Sequence, residues 1–453
     1  MTVLSQQPHA LVIPYPAQGH VMPLMKFSHL LVDRGLRITF VNTEEIHGRL
    51  LDSALPDMGK TPSNLHLVSI SDGLTIDERK DPFKLADAVN NHLPVQFENL
   101  IKHNKFSCVI ADETLGWALD VARKMGIPQA AFFPASAGIK AITFHIPKMI
   151  EMGVIDDIGT IKKEDTIFLS QTMPGIKPAH LLWNRMAGMA SAQMILQSMT
   201  RNNEASTCSD WVFCNTFEGL EHGALELVPS LLPIGPLAGI NEIGNFWAED
   251  ISCTSWLDQQ ATKSVIYVAF GSITILNQRQ FDELALGLEQ LSRPFLWVVR
   301  SVADLYGRPN ATYPDGFLDR VADYGKIVSW APQQKVLAHP SIACFVSHCG
   351  WNSVIEGVSM GVPFICWPYF ADQFFNETCI TDTWRVGLGL KLDEDGIISR
   401  DELKKKVNRL LLDKVIKGNA VRLKELSVKS GGKGGSSFKN LELFIKELRA
   451  LSV

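Results

Sequence analysis

Between Trp330 and Gln373 the chain reads WAPQQKVLAHPSIACFVSHCGWNSVIEGVSMGVPFICWPYFADQ, and the order of residue types there decides how the rest is read. Ala343–Ser347 is a short apolar run of strand length, and His348-Cys349-Gly350 leads from it into a helix start near Trp351-Asn352-Ser353. A strand, a glycine turn and a helix N-terminus in that order make an anion site, because free backbone N–H groups and the positive end of the helix dipole point outward together. Pro363–Trp367 reads as a second buried strand, with Asp372 and Gln373 past its carboxyl end, where open α/β sheets collect ligands. Trp330 follows the run Lys326–Ser329 and precedes Ala331-Pro332, which puts it at a strand mouth.

Each of these groups has a chemical counterpart. The Trp330 indole can stack on a flat base, or simply fill core space. The helix start suits a diphosphate. Ser353 and Glu356 have the spacing of a capping box, yet a carboxylate one turn inside an anion-binding helix can also accept both hydroxyls of a ribose, and the two roles can coexist. Asp372 and Gln373 supply the acceptors and amide that sugar hydroxyls need. Together the stretch describes a site for a nucleotide diphosphate-sugar.

Outside it, short β-rich runs alternate with amphipathic helical stretches, the pattern of a parallel sheet wound on both sides. Strands are predicted at Ala10–Ile13, Leu36–Val41, Leu65–Ile70, Cys108–Ala111, Gln129–Phe133 and Trp211–Asn215, with helices such as Pro82–Lys102 and Trp117–Met125 between them. After Leu231–Leu237 and a loop-like segment to Ser252 the pattern restarts with Val265–Phe270, Phe295–Val299, Ile327–Ser329, Ala343–Ser347 and Pro363–Trp367. At 453 residues the chain suits two α/β domains joined by a linker and enclosing one cleft. A formal net charge of −5 leaves no electrostatic footprint for nucleic acid, and no apolar run is long enough to span a membrane. The start of the chain has no cationic leader and is broken by Pro14 and Pro16, so a cytoplasmic protein is expected. Eight scattered cysteines without a C-x-x-C pair read as reduced core thiols. The tail Ser430–Ser437 reads as a flexible turn with Ser436 or Ser437 capping the last helix.

Sugar transfer to a hydroxyl needs a base, stabilisation of the departing diphosphate and alignment of the partners. His20, in a Gly19-His20 loop just past the first strand, is the best base, because a neutral imidazole works near physiological pH. It needs a carboxylate to fix its tautomer, and Asp112 and Glu113 both follow the strand Cys108–Ala111, Asp112 also being placed to cap a helix. Positive potential for the diphosphate is expected from the helix N-terminus and His348. Two rival classes leave traces. Gly357-Val358-Ser359-Met360-Gly361 is a literal G-x-S-x-G of serine hydrolases, but the helix precedes it and the strand follows, so Ser359 is expected in a helix-to-strand turn. Asp393-Glu394-Asp395 could hold a divalent cation, but it runs into Gly396 as ordinary turn chemistry. A dinucleotide oxidoreductase would need G-x-G-x-x-G where Pro14–Gly19 stands.

The stretch Trp330–Gln373 resembles, almost residue for residue, the signature box of plant family-1 UDP-sugar-dependent glycosyltransferases. His9–Pro23 is similar to that family's opening strand and catalytic-His loop, and Ala269–Ser272 to the first strand and phosphate loop of its second domain, so the resemblance covers effectively the whole chain. It implies two Rossmann-like doubly wound domains of GT-B type. Residues 1–235 would bind the acceptor, 236–252 would link, 253–435 would bind the donor, and the helix within 436–453 would cross back onto the first domain. It selects Asp112 rather than Glu113 as partner of His20. It places Ser272, His348, Asn352 and Ser353 on the phosphates, Trp330, Ala331 and Gln333 on the uridine, Glu356 on the ribose, and Trp351, Asp372 and Gln373 on the sugar, a set that in the family goes with glucose. Direct displacement would invert the anomeric centre and give a β-glucoside. The implied enzyme is a metal-independent monomer with no cofactor, UDP-glucose being a co-substrate. Its acceptor is expected to be a small apolar hydroxylated metabolite bound by loops around Leu65–Asp81 and Gly138–Met199, a flavonoid or other phenolic first, a terpenoid or triterpenoid second.

Overall fold

All the strands predicted from apolar runs are present, and the central ones are shut from water on both faces, as strands under crossover helices must be. The computed structural model describes residues 7–54, 63–185, 189–237, 249–301 and 309–451. Most of the expected linker therefore lies outside the described residues, as do 186–188 within the expected acceptor segment. The chain divides into two units, one of Met1–Ala179, Trp183–Trp247 and Lys429–Val453, the other of His180–Leu182 and Ala248–Val428.

The first unit holds strands β1 (His9–Ile13), β2 (Arg37–Thr43), β3 (Leu65–Ile70), β4 (Cys108–Asp112), β5 (Gln129–Phe133), β6 (Trp211–Cys214) and β7 (Leu231–Pro233), in the order β3-β2-β1-β4-β5-β6-β7. The second holds β8 (Val265–Ala269), β9 (Phe295–Val298), β10 (Gly325–Val328), β11 (Ile342–Ser347), β12 (Phe364–Cys366) and β13 (Gly387–Gly389), in the order β10-β9-β8-β11-β12-β13. Every pairing is parallel. In both sheets the winding reverses beside the first strand, between β1 and β4 and between β8 and β11. That reversal opens a crevice at the strand carboxyl ends.

Several local expectations need correction. The edge strands β7 and β13 are short and carry Pro233 or paired glycines, which hides the strand signal. Gly387 is required where it stands, since a Cβ there would lie 2.7 Å from the Phe364 carbonyl oxygen. The helix expected over Pro82–Lys102 is two helices, Pro82–Asn91 and Leu93–Lys102, broken at His92 ahead of Pro94, which cannot donate to the preceding turn. The last helix, Ser436–Leu451, already includes Ser436 and Ser437, and their hydroxyls both lie 3.0 Å from Ser430 Oγ instead of capping. The passage from second to first unit falls inside the helix Lys414–Gly431.

That last helix is part of the first unit's core. Leu441, Phe444, Ile445 and Leu448 recur at helical spacing and are buried. Phe444 meets Phe213 edge-on at 4.9 Å and Trp211 at 5.0 Å, and Phe213 in turn meets Phe27 at 5.4 Å. Trp211 Nε1 donates to Glu447 at 2.7 Å, so the indole is satisfied at the rim. Phe444→Ala is expected to destabilise the first unit by about 3–5 kcal/mol. Urea unfolding followed by tryptophan fluorescence would show this as an earlier first transition, with the second unit's transition unmoved.

Candidate active site

In the first unit β1 ends at Ile13, beside Ala111 of β4, so residues leaving the two strands emerge at the reversal point. His20 is not in a loop: it is the third residue of the helix Gln18–Val32, its N–H bonded to the Ala17 carbonyl at 2.9 Å. Its Nδ1 lies 2.8 Å from Asp112 Oδ2, the imidazole about a quarter exposed and the carboxylate fully buried. An ionised carboxylate only accepts, so Nδ1 carries the proton and Nε2 is left as the lone-pair nitrogen. Asp112 Oδ1 accepts from the Thr114 N–H at 2.9 Å and the Thr114 hydroxyl at 2.7 Å. Capping and holding the histidine thus coexist, one oxygen each. Glu113 points elsewhere, to a buried Lys140 whose ammonium also reaches Asn203 and Ser206. Burial pushes the Glu113 carboxyl up against the pull of Lys140, so this residue is a structural neighbour. The Tyr15 ring packs 5.2 Å from that of His20, and burial, with Asp112 nearby, raises its phenol further and keeps it a donor.

In the second unit β8 and β11 run side by side, pairing Ala269 with Ser347. Gly271 and Ser272 follow the one, His348, Cys349 and Gly350 the other. The His348 ring is wedged between two glycines: a Cβ on Gly271 would lie 2.5 Å from its Nε2, and one on Gly350 2.4 Å. Burial, helped by the Arg300 guanidinium and opposed by a backbone hydrogen bond at Ala269, lowers this imidazole to about 4. His348 is therefore neutral at pH 7 and adds no positive charge, contrary to the expectation from sequence.

The helix Trp351–Met360 starts from Gly350, which has no side chain to cap with, and the capping box does not form. Ser353 and Glu356 instead face Gln333, which starts the helix Gln333–Ala338 after Trp330, Ala331 and Pro332. Its amide nitrogen donates to Ser353 Oγ at 2.9 Å and Glu356 Oε2 at 2.8 Å, its oxygen accepts from Tyr267 at 3.1 Å, and Gln334 donates to Glu356 Oε1 at 3.1 Å. Trp330 stays half-buried, its carbonyl accepting from the Asp250 N–H. Trp351 is buried and Asn352 half-buried in the first helical turn. Beyond β12, the Gln373 oxygen accepts from the N–H groups of Tyr369 and Phe370, which fixes its NH₂ end in the opposite direction. Asn376 donates to both Asp372 and the Cys349 carbonyl, tying the end of the stretch to the His348 turn.

Sequence reasoning missed Thr114, Tyr267, Arg300 and Asn376. The signal for Arg300 was its place just past β9, and for Asn376 its place one helical turn beyond Asp372. Ser359 lies inside the helix and its hydroxyl donates to the Ile355 carbonyl at 2.6 Å, so its proton goes to the backbone and not to a catalytic base. Asp393 accepts from the N–H groups of Asp395 and Ile397, and Asp395 pairs with Arg279, which makes that trio a turn. Among the described residues no group of three His, Cys, Asp or Glu side chains could hold a metal, and no helix is long and apolar enough to cross a membrane. None of the eight cysteines is in a disulfide; seven are buried and Cys208 is exposed.

Two doubly wound sheets, one carrying a carboxylate-held histidine and the other a helix start near Trp330, Gln333 and Glu356, are the architecture of a GT-B sugar transferase. The UDP-glucoronosyl and UDP-glucosyl transferase family model matches residues 20–429, and the chain belongs to that family. It is a plant-type UDP-glycosyltransferase that moves sugar to small-molecule acceptors. UDP-glycosyltransferase 83A1 of Arabidopsis thaliana is 41% identical, over 98% of this chain and 97% of its own. A 7-deoxyloganetin glucosyltransferase of Catharanthus roseus is 33% identical over 98% and 97%. The solved structure of Phytolacca americana UGT2 complexed with UDP-2fluoro-glucose and pterostilbene is 26% identical, with a TM-score of 0.80 covering 97% of this chain and 99% of that one.

Two outcomes follow from the wedged imidazole. Gly350→Ala displaces the ring and is expected to lower kcat/KM for the donor by about hundredfold, read in steady-state kinetics. The His348 Cε1–H resonance should not titrate until about pH 4. Because that value lies below the unfolded one, the unfolded chain binds the extra proton first, and this group's contribution to stability falls as pH drops from about 6.5 toward 4.

Proposed function

We propose that the chain transfers glucose from UDP-glucose to a hydroxyl of a small apolar plant metabolite, with inversion to a β-glucoside. The carrying observation is the 2.8 Å contact of His20 Nδ1 with a fully buried Asp112, which leaves Nε2 as an acceptor and gives the imidazolium a counter-charge. The acceptor oxygen attacks the anomeric carbon as its proton passes to His20 Nε2, the bond from that carbon to the diphosphate oxygen breaks, and UDP leaves. Displacement from the face opposite the diphosphate inverts the centre.

In this reading Trp330 stacks on the uracil, with the Ala331 backbone and Gln333 at its edge, and Glu356 accepts the ribose hydroxyls. Gln333 and Gln334 already hold both Glu356 oxygens, so they also aim the carboxylate. Ser272, His348, Asn352 and Ser353 take the diphosphate, His348 as a neutral hydrogen-bonding group. Trp351, Asp372 and the free end of Gln373 take the glucose. Residues 1–235 with 436–453 supply base and acceptor site and 253–435 the donor site, in a cytoplasmic monomer needing no metal.

A flavonoid or other phenol is the favoured acceptor. Phe144, Met152, Ile158, Phe168 and Met194, all in the segment expected to bind it, expose apolar surface that suits a flat aromatic. The P. americana protein solved with pterostilbene supports the phenolic reading, and the relative named for 7-deoxyloganetin supports a terpenoid as the second one.

His20→Ala is expected to cut transfer by about 10²–10⁴-fold while UDP affinity, measured by calorimetry, stays within about twofold of the natural chain, since uniform donor binding does not involve the base. Asp112→Asn should cost a similar factor by favouring the wrong tautomer. Parallel loss of UDP binding would remove His20 from the role of base. A mass-spectrometric screen of phenols and terpenoids with UDP-glucose decides the acceptor class.

A further inference from the structure

The departing UDP carries negative charge, and its stabilisation needs a positive partner that this site has not yet accounted for. The helix Trp351–Met360 supplies a partial charge at its N-terminus. His348 supplies none at neutral pH.

Arg300 stands just past the carboxyl end of β9, next to β8, whose following turn carries Gly271 and Ser272. Its guanidinium spans that turn: Nη1 donates to the Ser272 carbonyl at 2.6 Å and Nη2 to the Thr274 carbonyl at 2.9 Å. In a trans peptide the N–H points away from the C=O, so the clamp turns the N–H groups of Ile273 and Ile275 away from the guanidinium. In the same turn the Thr274 hydroxyl oxygen is shut from water with no hydrogen-bond partner among the described residues. An oriented turn, a hydroxyl without a partner among the described residues and a permanent cation stand together at one edge of the reversal point.

We propose that Arg300 is a positioning residue for the diphosphate of the sugar donor, its planar fork locking the Ser272–Thr274 turn into shape and holding a fixed positive charge beside it. The inference rests on the donor-site reading above. A lysine would keep the charge but lose the fork, since an ammonium is a single point that cannot span two carbonyls in one plane.

The test is calorimetric binding of UDP and of uridine to the full chain and to Arg300→Gln and Arg300→Lys. Uridine has the same base and ribose but no phosphate, so it registers any general loosening of the unit. Arg300→Gln is expected to weaken UDP by about ten- to hundredfold, the range for a lost charged hydrogen-bonding group, with uridine within about twofold. Arg300→Lys is expected to fall between Arg300→Gln and the natural chain for UDP. Equal loss for both ligands, or no loss for UDP, overturns the proposal. If Arg300→Gln does not fold, the same comparison on Arg300→Lys decides it. Failure of the donor-site reading has its own signature, unchanged UDP affinity in Glu356→Ala and His348→Ala, and it overturns this inference as well.

Discussion

When parallel strands side by side send their following chains to opposite faces of a sheet, a gap opens at their carboxyl ends that neither chain can fill. Each sheet of this protein has one such gap, and the groups assigned to chemistry gather at its rim: His20 and Asp112 at β1 and β4, Ser272 and His348 at β8 and β11. The strands beneath are buried and held by parallel ladders, so the rim residues follow directly on packed strands. Displacing one by even an ångström would require shifting a packed strand.

The neighbouring carboxylates Asp112 and Glu113 illustrate how the backbone sorts identical charges. As strand passes into a 3₁₀ turn, alternate direction sends one toward the crevice and the other inward. The inward one could not stay ionised alone, because a buried charge without partners is costly. Lys140 answers it, and Asn203 and Ser206 on the helix Met189–Thr207 complete the ammonium's bonds. Asn202 of the same helix donates to the Thr114 carbonyl. The turn that aims Asp112 is therefore fixed from behind by the helix that neutralises Glu113.

The fold class was legible because parallel strands buried on both faces leave continuous apolar runs, as at Cys108–Asp112 and Ile342–Ser347. The edge strands β7 and β13 were not, since three-residue Leu231–Pro233 and half-exposed Gly387–Gly389 are too short to show such a run. Within the site, residue types around Trp330–Gln373 announced a nucleotide-sugar, but their partners could not be read from spacing. Ser353 and Glu356 have capping-box spacing and serve Gln333 instead, because the chain places Pro332-Gln333 opposite that helix face. The charge state of His348 depends on burial and on Arg300, distant in sequence and adjacent in space. Arg300 and Thr114 act through hydrogen bonds that carry no periodic signature.

Seven of the eight thiols are sealed in the interior, while Cys208 follows directly on the helix that braces the Asp112 turn and faces solvent. The natural chain thus presents a single solvent-exposed thiol to bulky maleimide dyes, with no engineering of its surface. A fluorophore seated there would sit at the end of that brace, turning any rearrangement of the helix into an optical signal.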